Sequence, residues 1–162
     1  MDEAKIRATV AELVGQRCER VENPYGSILS IDLGPLGLRP DDPPDARPHG
    51  WRHLTILSPW RLQTDDYVVS DWNENGAPGG DLAKTIQLLH EESVITAEAA
   101  PPAWDLHLRW SNGMSLVVFS DSTDDREDAW FILGTDGLEV SAAPVMSAPT
   151  ADPSGSRPAR SA

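Results

Sequence analysis

Residues 104–119 constrain this chain more than any other stretch. Trp104, Leu106, Leu108 and Trp110 alternate with Asp105, His107 and Arg109. That is the period-2 pattern of a strand with one buried face. Asn112-Gly113 follows, a pair suited to a type I′ hairpin turn, whose two central residues both need φ > 0. With those two residues as the turn, Trp110 is expected opposite Ser115, Leu108 opposite Val117 and Leu106 opposite Phe119. The return strand, Leu116-Val117-Val118-Phe119, is apolar on both faces and is expected at the centre of its sheet.

Such a hairpin needs further strands and a cover for its apolar face. Residues 2–14 read as a short amphipathic helix, with Ile6, Val10, Leu13 and Val14 on one stripe and Gly15 at its C-terminal cap. Strands are expected at 16–21, 27–33 (Leu29, Ile31 and Leu33 inward, Ser30 and Asp32 outward), 51–58, from Trp60, at 67–69, 94–97, 130–133 and 138–141. A second helix fits 81–90, with Leu82, Ile86 and Leu89 as its stripe. The turns Asn23-Pro24-Tyr25-Gly26 and Thr135-Asp136-Gly137 punctuate these runs. Residues 34–50 hold five prolines and three aspartates, which no regular element tolerates. They are expected to form a long, mobile surface loop.

The order of elements occurs twice. An offset of 76 aligns Ile6, Val10 and Leu13 with Leu82, Ile86 and Leu89. An offset of 77 aligns Leu29, Ile31 and Leu33 with Leu106, Leu108 and Trp110. An offset of 62 places Leu54 and Ile56 on Leu116 and Val118, and one of 70 places Trp60 and Leu62 on Trp130 and Ile132. The proline-rich loop absorbs the jump, standing where the second copy has Ser-Asn-Gly. Two explanations stay open, a duplication or the easy alignment of amphipathic segments. Either way the expectation is a single α+β domain over residues 1–143: an antiparallel β-rich core with two short helices, in half-repeats 1–70 and 80–143. Residues 144–162 are Ala, Pro, Ser and Thr with few large apolar groups, and are expected to be a disordered tail.

Net charge is −13, and with the tail at +1 residues 1–143 carry −14. That argues against a nucleic-acid backbone or an anionic membrane as partner. It suits a basic protein partner, since opposite charge speeds encounter. Cys18 is the only cysteine, so neither an intrachain disulfide nor a multi-thiolate metal centre is expected. No basic-then-apolar leader opens the sequence, and a cytoplasmic location is expected.

Leu13-Val14-Gly15-Gln16-Arg17, Ser58-Pro59-Trp60-Arg61-Leu62, Asp105-Leu106-His107-Leu108 with Asn112-Gly113, and Trp130-Phe131-Ile132-Leu133 before Asp136-Gly137 resemble a family of short bacterial proteins of unknown function. The resemblance covers most of residues 10–141, but not the 34–50 loop or the tail. It implies an immunity-type or accessory binding protein and carries no catalytic residues.

Catalytic motifs are not expected: the chain reads without a Gly-x-Ser-x-Gly elbow, phosphate loop or dinucleotide fingerprint, and His49, His53, His90 and His107 as forming neither His-x-x-x-His nor His-Glu-x-x-His. His90-Glu91-Glu92 lacks a second histidine, and the acidic run 121–128 lacks the ligand spacing of an EF-hand. No cofactor or metal is expected. The expected function is therefore binding rather than catalysis, through acidic contact residues Asp65, Asp66, Asp71, Trp72 and Glu74, with Asp124, Asp125, Glu127 and Asp128. The alternative is a ligand-binding or enzymatic β-rich domain with a Trp-lined pocket.

Overall fold

A computed structural model describes residues 3–73, 81–120, 128–134 and 139–142. The expected acidic contacts Glu74, Asp124, Asp125 and Glu127, the turn 135–137 and the tail lie outside them. The fold is α+β and rich in antiparallel strands. Helix α1 (Glu3–Ala11) precedes β1 (Cys18–Glu22), β2 (Leu29–Leu33), β3 (Arg52–Ile56), β4 (Trp60–Gln63) and β5 (Val68–Asp71). Helix α2 (Asp81–Thr85) runs into a 3-10 turn (Ile86–Leu89) and precedes β6 (Val94–Ala100), β7 (Asp105–Trp110), β8 (Ser115–Val118), β9 (Trp130–Gly134) and β10 (Glu139–Ala142).

The strands form two five-stranded sheets, ordered β1-β2-β3-β9-β10 and β6-β7-β8-β4-β5. Exchanging β1–β5 with β6–β10 turns one order into the other, so each sheet takes three strands from one half and a hairpin from the other. The registers repeat as well. Leu29 pairs with Ile56 and Ile31 with Leu54, as Leu106 pairs with Val118 and Leu108 with Leu116. Ile56 and Leu54 meet Trp130 and Ile132 across the sheet, as Val118 and Leu116 meet Trp60 and Leu62. Even the irregularity in β1 between Cys18 and Arg20 recurs in β6 between Val94 and Thr96. These pairs follow the sequence offsets 76, 77, 62 and 70.

The halves meet where the residues before β1 and β6 pair. Cys18 N–H donates to the Glu92 carbonyl (2.8 Å) and Val94 N–H to that of Gln16 (3.0 Å). Gly15 and Glu91 both adopt positive φ there, 86° and 71°, and donate to Val94 and Cys18 respectively. Glycine takes that conformation freely; a glutamate does so at a cost of roughly 1–2 kcal/mol.

The inward residues of both sheets share one core with Ile6, Val10 and Leu13 of the first helical segment and Leu82, Ile86 and Leu89 of the second. Trp60, Trp104, Trp110 and Trp130 are fully buried in it, so these four are core residues. The Trp60 indole N–H donates to the Ser27 carbonyl (2.7 Å) and the Trp130 indole N–H to the Trp104 carbonyl (2.9 Å). Burying a Leu, Ile or Val side chain contributes roughly 1.5–3 kcal/mol. Helices this short depend on that packing rather than on propensity. Helix α1 packs against β6 and β10, and the second helical segment against β1 and β5.

Five expectations change. The β7–β8 turn is not type I′: Asn112 has no positive φ, while Gly113 stands at 86°. Gly113 N–H donates to the Trp110 carbonyl and Trp110 N–H to that of Met114, giving a three-residue turn that ends in a left-handed glycine. The register moves by one, so Arg109 faces Ser115 and His107 faces Val117. Helix α1 stops at Ala11, which leaves Val14 exposed. The second helix tightens to a 3-10 turn after Thr85. Finally, the 34–50 loop is not a loose excursion. It closes on itself through Gly37 and His49, whose backbones exchange hydrogen bonds of 2.8 and 2.9 Å. Further bonds tie Gly34 to Arg17, Asp42 to Arg39 and Ala46 to Pro43.

Candidate functional site

The outward face of β2 carries Ser30 and Asp32, and the loop folds back over this end of the sheet. Asp32 lies in the middle of the β1-β2-β3 ladder, opposite Arg20 on one side and His53 on the other. Its carboxylate is 2 % exposed, which makes three close partners necessary. Oδ2 accepts from Arg20 Nε (2.9 Å). Oδ1 accepts from the Gly50 backbone N–H (2.8 Å) and from His53 Nδ1 (2.7 Å). Arg20 also donates from Nη2 to the Pro48 carbonyl (2.6 Å), and Arg47 pairs with Glu22 of β1. The sheet thus holds the returning end of the loop through charge-assisted bonds.

Gly50 is required by this approach: a Cβ there would lie 2.6 Å from the Leu33 backbone nitrogen. Burial pushes the Asp32 pKa up, but the bonds from His53 and Gly50 and the charges of His53 and Arg20 outweigh it, and the carboxyl is held down at about 2. His49 sits beside the cluster, its ring 5.0 Å from that of His53 and edge-on to it. Its Nδ1 is buried without a hydrogen-bond partner, 3.9 Å from Asp32 Oδ1. Burial and the charges of His53 and Arg39 lower the His49 pKa, favouring the neutral ring.

Ser30 Oγ lies 3.1 Å from His53 Nε2. Ser30, His53 and Asp32 therefore stand in the order hydroxyl, imidazole, carboxylate. That order serves acyl transfer when unused N–H groups surround the hydroxyl to hold an oxyanion. Ser30 instead sits inside a strand paired on both sides, with Glu22 and Thr55, and the neighbouring backbone is engaged in those ladders. The arrangement is better suited to fixing the His53 ring.

The second half has none of this. The positions equivalent to Arg20, Asp32 and His53 hold Thr96, Arg109 and Ser115, paired in the same register. The equivalent connection is the Ser111-Asn112-Gly113 turn.

The acidic contacts expected from sequence are scattered. Asp65 and Asp66 lie in the β4–β5 turn, where Asp65 is engaged by Arg109 at 3.3 Å and Asp66 is exposed. Asp71 and Trp72 lie at the far end of β5. Asp71 accepts from the Asn73 N–H (2.9 Å), and Trp72 packs against the core while its carbonyl accepts from Ser27 Oγ. Asp128 is half-buried just before β9. Cys18 is buried, its thiol pushed up to about 12 mainly by that burial, which leaves it a poor nucleophile.

The cluster of Arg20, Ser30, Asp32, His49 and His53 was missed in sequence. Two signals pointed to it. Against the expectation that no histidines stand at H-x-x-x-H spacing, His49 and His53 are four residues apart, at the end of the loop and on β3 rather than on one helix. The repeat alignment also sets Asp32 against Arg109 and His53 against Ser115, a change of chemistry at matched positions. Among the described residues no helix is long and apolar enough to cross a membrane. No protein-family model, curated protein or solved structure matches this chain, and nothing beyond the residues quoted above bears on the family resemblance.

Proposed function

We propose that the protein is a binding module that engages a basic protein partner, with the 34–50 loop as its principal recognition element. One observation carries this reading: a loop tied down by a buried carboxylate, in one of two otherwise register-matched halves, exposes Leu36 and Leu38 to solvent. A fixed loop loses little entropy on binding, and exposed apolar side chains on a built loop are suited to a partner. The loop also exposes Asp41 and Asp45, and a chain carrying −13 attracts cations at long range. Asp66 adds to that field; Asp65 and Asp71 are already engaged by other groups.

The test compares the full chain with a variant in which Leu36 and Leu38 are both aspartate, each immobilised and exposed to a lysate of the source cells. The expected result is a basic protein retained at low salt by the parent chain, released by high salt and not retained by the variant. Identical capture by both chains, or capture indifferent to salt, would contradict the reading.

A further inference from the structure

We propose that Asp32, His49 and His53 form a binding site for one divalent transition-metal ion of the zinc class at the base of the 34–50 loop. The three side chains come from β2, the end of the loop and β3, and their ligand atoms all lie within 4.8 Å of one another. Two imidazole nitrogens and one carboxylate oxygen form a donor set that suits zinc and its neighbours, with a further position left for water. Calcium and magnesium prefer sets made of oxygen alone.

The division of labour at Asp32 favours this site. Oδ2 faces Arg20, whereas Oδ1 lies beside His53 Nδ1 and His49 Nδ1, where a metal would take the place of the His53 bond while the Gly50 N–H stays on the same oxygen. His49 is the decisive group. Its Nδ1 is buried and unpartnered, a costly state for a polar atom, and a metal relieves it.

His53 also has the outer partner that a ligand histidine needs. Without metal, Nδ1 lies 2.7 Å from Asp32 Oδ1 and Nε2 3.1 Å from Ser30 Oγ. With metal, the proton sits on Nε2 and is donated to Ser30 Oγ, freeing Nδ1 as the ligand. Such outer-shell bonds commonly orient ligand histidines.

The experiment is calorimetric titration of the full, chelator-treated chain with zinc chloride alone. Cobalt(II) serves as the spectroscopic probe of ligand geometry. The expected result is one saturable site per chain. Zinc at a hundredfold excess over its dissociation constant should raise Tm by roughly 5–10 °C. Removing an outer-shell partner typically weakens a metal about 10–100-fold. His49→Ala removes a ligand and should weaken zinc at least about tenfold, cutting the Tm rise at the same zinc concentration to about half or less. His49 is the variant of choice because its ring makes no hydrogen bond whose loss would unfold the chain, whereas His53→Ala strips Asp32 of a partner. His90→Ala and His107→Ala should bind as the parent does. Absence of a saturable 1:1 site overturns the proposal, as does unchanged affinity in His49→Ala.

Discussion

The β1–β2–β3 meander and the β6–β7–β8 meander are the same construction with different chemistry at one end. Their core-facing pairs correspond residue by residue, and both carry the same strand irregularity. Between the second and third strands of each meander they part. One half turns in Ser-Asn-Gly; the other inserts a proline-rich loop over a buried carboxylate. The matched positions show what the scaffold needs, which is apolar residues on the inward face. The mismatched ones show what it does not need: neither Asp32 nor His53 is required to make this meander, because Arg109 and Ser115 stand there in the other.

If the halves carry equal structural weight, truncating equivalent core tryptophans should cost about the same. Trp60→Ala and Trp130→Ala should each destabilise the chain by about 3–5 kcal/mol, the range for large aromatic-to-alanine changes. Urea unfolding of both variants checks this, and a difference of several kcal/mol between them would break the equivalence.

Charge should divide the halves where the core does not. Asp32→Ala leaves Arg20, the Gly50 N–H and His53 without their acceptor, and breaking a buried pair typically costs about 3–5 kcal/mol. Arg109→Ala at the equivalent position removes only a solvent-exposed bond to Asp65, for about 0.2–1 kcal/mol. Chemical denaturation of the two variants should therefore differ widely, and similar losses would show that Asp32 is not the anchor described.

A smaller effect follows from titration. The Asp32 pKa is about 2 in the folded chain against an ordinary 3.8. The folded value is the lower one, so the stabilisation is complete above about pH 4 and is lost as the pH falls through 3.8 towards 2. A shift of this size corresponds to about 2 kcal/mol. Unfolding measured across that window in chelator-treated protein should show this slope in the parent chain, reduced in Asp32→Asn. An identical slope in both would assign the acid sensitivity to other carboxylates.

Much of the scaffold was legible because it is written in apolar periodicity. The inward alternation of Leu29, Ile31 and Leu33, the stripe of Ile6, Val10 and Leu13, and the paired Trp60 and Trp130 each fix a face. The order of elements followed. The hairpin register was misread because Asn-Gly serves two turn geometries. The local pair does not decide between them, and the answer lies in whether Asn112 or only Gly113 takes positive φ. The loop was misread for a related reason: proline density excludes regular structure but says nothing of hydrogen bonds to other elements. Arg20, Asp32 and His53 come together only through strand pairing, so their partnership is invisible until the register is known. The acidic contacts were chosen by local charge density, and the strands then separated them.

Hydrogen exchange at single-residue resolution tests the central claim, that Asp32 holds the loop of one half down on a scaffold shared by both. In the parent chain the amides of Gly37, His49 and Gly50, bonded to His49, Gly37 and Asp32, should exchange slowly. In Asp32→Asn their protection should fall much further than that of the Gly113 amide in the equivalent turn. Fast exchange of Gly37, His49 and Gly50 in the parent chain, or protection untouched by the substitution, would contradict the account.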